Sequence, residues 1–497
     1  NVGFGADISS STAGTSNFRA GVNAGNSITS GGNYNVTVGD EAGTAITTGD
    51  NNSAVGYNSL AANTTGTLNT AVGKDAGLSV TTGGQNTLIG ASSGDALTTG
   101  GNNVAVGISA LSSDTSGGKS VGIGYAALLN QNQTGGADAF NTAVGASAGL
   151  SVTTGLMNTL IGAEAGDALT DADYNVAVGK EALGSDTLGS KSVAIGTSAL
   201  YTQNFTSATD AYNTAVGHNS GTNVTTGVNN TLIGGLAGDA LNTGSTNVAL
   251  GVEALTTEDT GQGAVAIGYQ ALYAQNYDGV SYNVAVGRNA GEAVTSGIQN
   301  TIIGGLAGTQ GTDLTTGSNN ILLGYLTGTS AADSLNQFVI GVNVSGGENE
   351  QITIGTSAGV VQNEFDTDAT WTRTSDVRLK TDIADATLGL DFINDLRTVT
   401  YKWKASNDLD QNDPQLEKLY NSENQMNTTT TMHGLIAQEV KTALDTAGVD
   451  TFKGWKENPD GVQNISREMY VLPLIKAVQE LSTALDAALA RIATLEG

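Results

Sequence analysis

Side chains able to do chemistry are scarce in this 497-residue chain. It has no Cys and two His, so thiol catalysis, zinc–thiolate sites and disulfides are excluded together. One short stretch sets a nucleophile near a possible base: Ser375-Asp376-Val377-Arg378-Leu379-Lys380. A serine hydroxyl attacks poorly until a base takes its proton, and a desolvated lysine can be that base. On an extended strand, side chains at this odd separation point to opposite faces. Contact therefore requires a bend between them, or a lysine reaching across an interface between copies of the chain. Asp376 and Arg378 read as a pair that holds local structure rather than as chemistry.

The remaining candidates are weaker. His218 follows a repeat glycine and reads as a solvated loop residue, and His433 reads as a packing residue. The recurring Gly-Asp at Asp95, Asp167 and Asp239 lacks the Gly-Gly-x-Gly-x-Asp spacing of calcium-binding repeats and reads as turn capping. No metal or cofactor is expected. No acid pair recurs in a way that suggests a glycosidase. Lys plus Arg number 19 against 47 Asp plus Glu, a formal net charge of -28. That balance argues against a phosphate-tracking nucleic-acid surface. No apolar run is long enough to span a membrane, so no membrane insertion is expected. The chain opens at Asn1 with no Met and no signal-like segment, which reads as a fragment or a processed product.

The elements that must position these residues fall into two regions. Of 69 Gly, 63 precede residue 375, whereas all three Pro and two of the three Trp follow it. The first 374 residues hold 7 basic and 28 acidic residues, and the last 123 hold 12 and 19. The first region is a repeat. Asn-x-x-(Val/Ile/Leu)-Gly recurs with its glycine at Gly39, Gly56, Gly73, Gly90, Gly107 and Gly124, spaced by 17, and continues to Gly355. With weaker copies at Gly5 and Gly21 this makes 21 coils. Gly73, Gly145 and Gly217 are 72 apart, so three coils of 17 and one of 21 form a larger unit. The extra four residues fall in loops such as Gln131–Asp138.

A 17-residue unit is too short for a helical hairpin and fits one turn of a parallel β-solenoid. Within Asn69-Thr70-Ala71-Val72-Gly73 the side chains alternate faces. The Thr70/Val72 column is expected to fill the interior. The Ala71, Leu88, Ala105 column is expected to form an apolar outer stripe for self-association. The glycine allows a positive-φ corner, and the asparagine ladders between coils or caps the turn. The pattern Asn-x-Val-Ala-(Ile/Val)-Gly-x-x-(Ala/Ser) resembles the head domains of trimeric autotransporter adhesins. That resemblance implies a left-handed β-roll and a homotrimer, although the usual unit of that family is shorter.

In the second region the hexapeptide at 375–380 resembles the start of the C-terminal intramolecular chaperone domain of phage tailspikes and tail fibres, the peptidase S74 family. Thr400-Tyr401-Lys402-Trp403 is similar to its early strand, and His433-Gly434-Leu435-Ile436-Ala437-Gln438-Glu439-Val440 to its central helix entry. Tyr470-Val471-Leu472-Pro473-Leu474-Ile475 opens a match to its terminal helix. The resemblance implies Ser375 as nucleophile, Lys380 as its general base, and cleavage of Thr374–Ser375 once the trimer has assembled. In the terminal helix, expected over about 467–496, Leu474, Val478, Leu481, Leu485, Ala488, Ile492 and Leu495 follow the a/d spacing of a coiled coil.

These readings give an all-β parallel solenoid over 1–355, a linker over 356–374, and a smaller α+β chaperone domain over 375–497. The expected function is a structural, trimeric virion tail fibre that binds a host-surface receptor or polysaccharide. Other tail proteins would meet its N-terminal end, and its location would be extracellular. Two alternatives are a bacterial surface adhesin carrying the same chaperone and a polysaccharide-degrading tailspike.

Overall fold

Alternation along each strand fixes which residues share a face, and the buried asparagine fixes which face is inside. A computed structural model describes residues 8–9, 13–364, 372–373, 375–410, 412–424, 426 and 428–496. The chain forms two compact units, Asn1–Thr374 and Ser375–Gly497. In the first, twenty short strands from Phe18–Ala20 to Gln351–Thr356 stack in parallel. Pairing is in register at the repeat spacing: Thr70 meets Thr87, Ala71 meets Leu88, and Val72 meets Ile89.

The interior is the reverse of the sequence expectation. Ala71, Leu88, Ala105 and their equivalents are fully buried, while Val72 and Ile89 are 38% exposed. Asn69 is also fully buried, so the alternate residue Ala71 points inward with it, and Thr70 and Val72 point out. The apolar column left at the surface is therefore the Val/Ile one.

Asn86 shows how the asparagine at the strand entry is held on three sides. Asn86 N donates to Asn69 Oδ1 at 3.0 Å, and Asn86 Nδ2 to Gly100 O at 3.0 Å. Asn103 N in turn donates to Asn86 Oδ1 at 3.1 Å. The asparagine thus both ladders and ties down the turn, satisfying backbone groups that would otherwise be buried without partners. Where Ser120 and Ser192 replace asparagine, a buried amide and acid rebuild the network. Gln131 Nε2 donates to Asp114 Oδ2 at 2.8 Å and to Ser120 Oγ at 2.9 Å. Gln203 does the same to Asp186 at 2.6 Å and Ser192 at 3.0 Å.

Core volume explains the four-coil period. Where the strand carries Leu88, Leu160 or Leu232, the facing position is Gly94, Gly166 or Gly238. Where it carries Ala105, Ala177 or Ala249, that position is Leu111, Leu183 or Leu255. Where Ala71 faces Gly77 neither position is large, and the space is taken by Leu60 and Leu88 of the adjoining coils, so the interior is filled without overpacking. Corner glycines are required twice over. Gly179 has φ 136°, and a Cβ there would stand 2.5 Å from Gly196 O in the next coil.

Both ends of the parallel stack change direction. Ile8–Ser9 pairs antiparallel with Phe18–Ala20, so the twenty parallel strands fall one short of the expected coil count; Gly5 lies outside the described residues. Gly359–Glu364 folds back antiparallel on Gln351–Thr356, and Thr372–Arg373 adds to it. Part of the stretch expected as linker is thus a hairpin at the open end of the sheet, where exposed strand edges would otherwise invite pairing.

The second unit contains α1 (Leu390–Asn394), α2 (Ala437–Thr446) and α3 (Val471–Glu496). Two antiparallel pairs join Val399–Tyr401 with Met432–Gly434 and Trp455–Glu457 with Gln463–Ile465. Leu388, Phe392, Val440, Ala443 and Leu444 make its core. The ring of Phe392 packs against Phe452 at 5.9 Å and Tyr470 at 6.4 Å. A 3-10 turn over Arg467–Tyr470 leads into α3, whose first turns bury Pro473 and Ala477. Glu480 accepts a hydrogen bond from Leu390 N at 2.7 Å. From Leu481 to Glu496 every residue of α3 is exposed.

Candidate active site

The expected pair sits at the start of the second unit, and the chain bends between its members. Asp376 is extended, with φ -66° and ψ 133°, and caps a 3-10 turn over Val377–Leu379. Its carboxylate accepts from Arg378 N at 2.9 Å, the local side-chain-to-backbone bond that favours turns at Asp. The Arg378 guanidinium closes on the same carboxylate at 2.6 Å, holding the Asp376 carboxyl below its usual range. Lys380 N then bonds Val377 O at 3.1 Å.

This turn folds Lys380 back on Ser375. Its Nζ lies 2.6 Å from Ser375 Oγ within one chain, a hydrogen-bond distance for proton exchange. Both residues are exposed, as are the neighbouring apolar side chains Val377 and Leu379. A lysine acts as base only when its charged form is disfavoured, which burial supplies. Thr374, the residue before the expected scissile bond, lies outside the described residues.

His218 is exposed, and so is His433, which was expected to pack. Asp95 accepts from Ser112 Oγ at 2.5 Å. Burial pushes the Asp167 and Asp239 carboxyls up from their usual range. Among the described residues no group of His, Cys, Asp or Glu is placed to hold a metal ion, and no helix is long and apolar enough to cross a membrane.

Sequence reasoning missed the buried acids Asp114, Asp186 and Glu258, which sit in a column that also holds Val80, Leu97 and Gln131. An acid followed 17 residues on by a glutamine, recurring every 72 residues, was the available signal.

Residues 375–449 match the Peptidase_S74 family, chaperone of endosialidase. No curated protein and no solved structure matches the chain. The second unit therefore carries a chaperone domain of this family, placed after a β-solenoid of about twenty coils. The matched segment holds the Ser375–Lys380 pair, α1 and α2, and ends before α3.

Proposed function

We propose that this chain is a homotrimeric phage tail fibre or tailspike shaft that attaches to a host surface. Its C-terminal domain aligns three copies and then cuts itself free at Thr374–Ser375. The observation that carries this is the 2.6 Å contact between Lys380 Nζ and Ser375 Oγ inside a segment matching the chaperone family. Neutral Lys380 takes the Ser375 hydroxyl proton, and Oγ attacks the Thr374 carbonyl carbon. The Thr374–Ser375 C–N bond breaks as an ester to Oγ forms, and the Ser375 amine takes up the proton. Water then hydrolyses the ester, leaving a Thr374 carboxylate and the Ser375 hydroxyl.

Two surfaces support assembly. The outer Val/Ile column gives the solenoid an apolar face running most of its length, about 90 Å at the strand spacing, larger than soluble monomers usually expose. Beyond Ala477, α3 carries an apolar seam with no partner on its own domain, as a coiled-coil strand does. A second chain covering Val377 and Leu379 desolvates Lys380 and switches the cut on only after assembly. Sedimentation equilibrium tests the assembly: a mass of three chains is expected, and a monomer contradicts it.

A further inference from the structure

Three of the long coils of the solenoid end on an exposed ring. Phe140, Tyr212 and Tyr282 follow the three loops at equivalent positions, each 46–62% exposed. That position has positive φ in every coil: 53° at Phe140, 58° at Met157, 59° at Tyr174 and 49° at Tyr212. Asparagine adopts this conformation at little cost and occupies it at Asn51, Asn102 and Asn229. Every coil turns through this conformation, so what sets these positions apart is the ring each one presents to solvent.

Successive coils place Lys119, Phe140, Met157, Tyr174, Lys191 and Tyr212 in one column, a track of about 24 Å at the strand spacing. Lys119 Nζ lies 2.7 Å from Asp138 Oδ2 and 5.1 Å from the Phe140 ring centre. The arrangement repeats one period on. Lys191 Nζ lies 2.6 Å from Asp210 Oδ2, 3.1 Å from the Tyr212 hydroxyl and 5.2 Å from its ring centre. The loops beneath are rigidly seated. Buried Asp114 accepts from Gly117 N at 2.8 Å and Gln133 N at 3.3 Å, and Asp186 from Gly189 N at 3.0 Å and Phe205 N at 3.2 Å.

We propose that this track binds a neutral linear glycan. The ring faces of Phe140, Tyr174 and Tyr212 take the apolar faces of sugar rings, and the two Lys–Asp pairs hydrogen-bond their hydroxyls. This proposal rests on the surface-attachment reading and gives it a ligand class and a place. Charge sets the class: each ammonium is matched by a carboxylate, and the acidic solenoid repels polyanions. The third module is an internal control, because Gly263 and Val280 stand where the others have Lys and Asp.

Intact fibre is tested on immobilised neutral polysaccharides (glucans, galactans, mannans and N-acetylhexosamine polymers), alongside sedimentation. Wild type binds at least one of them. The Phe140→Ala/Tyr174→Ala/Tyr212→Ala variant loses about tenfold or more in affinity, Tyr282→Ala stays within about twofold, and both assemble as wild type does. Failure of wild type to bind any neutral polysaccharide, or equal binding by the triple variant, overturns the proposal. Loss of assembly in the triple variant overturns it too, since the track is then an interface between copies. Undiminished attachment of the triple variant to bacterial cells leaves the attachment reading standing while the glycan track falls.

Discussion

The carbonyl oxygen of Gly196 lies 2.5 Å from where a Cβ on Gly179 would sit, and Gly179 itself has φ 136°. The corner column is therefore closed to side chains by the next coil as well as by its own backbone. Gly179→Ala is expected to cost about 3 kcal/mol or more, from strain and displaced backbone together. Gly135, in a loop with φ 84° and no atom near its Cβ position, is the control. Gly135→Ala carries only the backbone penalty, about 1 kcal/mol. Melting temperatures of the two variants check the difference.

Asn86 shows what holds one coil to the next. Replacing it with Ala leaves Asn103 N and Gly100 O without its side chain, in a place water does not reach. The expected loss is about 2–3 kcal/mol. Urea unfolding followed by circular dichroism measures it, and a loss no greater than that of an exposed Asn→Ala variant would refute the ladder's role.

Acid dependence follows from Asp239. Burial pushes its carboxyl up from the ordinary carboxylate range, and Oδ1 is buried with no hydrogen-bond partner among the described residues. A folded-state pKa above the unfolded one means the folded state holds the proton more tightly. Its favourable contribution is thus complete below about pH 3.8 and is lost as pH rises through the folded value. Asp239→Asn should raise the melting temperature at about pH 7 and change nothing at about pH 3. Exposed Asp333→Asn, which changes the net charge equally, corrects for the overall acidity.

The α3 seam makes a separable prediction. Leu481 and Leu485 are 56% and 58% exposed on the single chain, so Asp at either position leaves the domain core intact. Leu481→Asp/Leu485→Asp should abolish trimers in sedimentation while preserving near-ultraviolet circular dichroism from Trp403 and Trp455. Unchanged assembly would show that the helix is not part of the interface.

Much of this was legible because a glycine marks each corner and an asparagine most strand entries, usually 17 residues apart. Alternation separated Ala71 from Val72, but alternation alone does not say which column is inside. The deciding fact is the burial of Asn69, which only bonds across coils reveal. The 72-residue period was visible as repetition, whereas its cause, Leu88 wedged between Gly77 and Gly94, depends on neighbours in other coils. Around Ser375 the sequence left two routes by which Lys380 could reach it. The cap at Asp376 bends the chain so that the two meet within one copy, through a short-range bond to Arg378 N that spacing alone did not weigh. The returning strand over Gly359–Glu364 was missed because it carries no repeat signature.

The central claim is that Ser375 and Lys380 cut the chain after Thr374 once it has assembled. Freshly expressed wild type, Ser375→Ala, Lys380→Ala and the Leu481→Asp/Leu485→Asp variant are run side by side on a denaturing gel, with N-terminal sequencing of any small fragment. The account predicts two fragments in wild type only, the smaller beginning at Ser375, and intact chains in the other three. An intact wild-type chain in assembled fibres, or fragments that persist in Ser375→Ala, would contradict it.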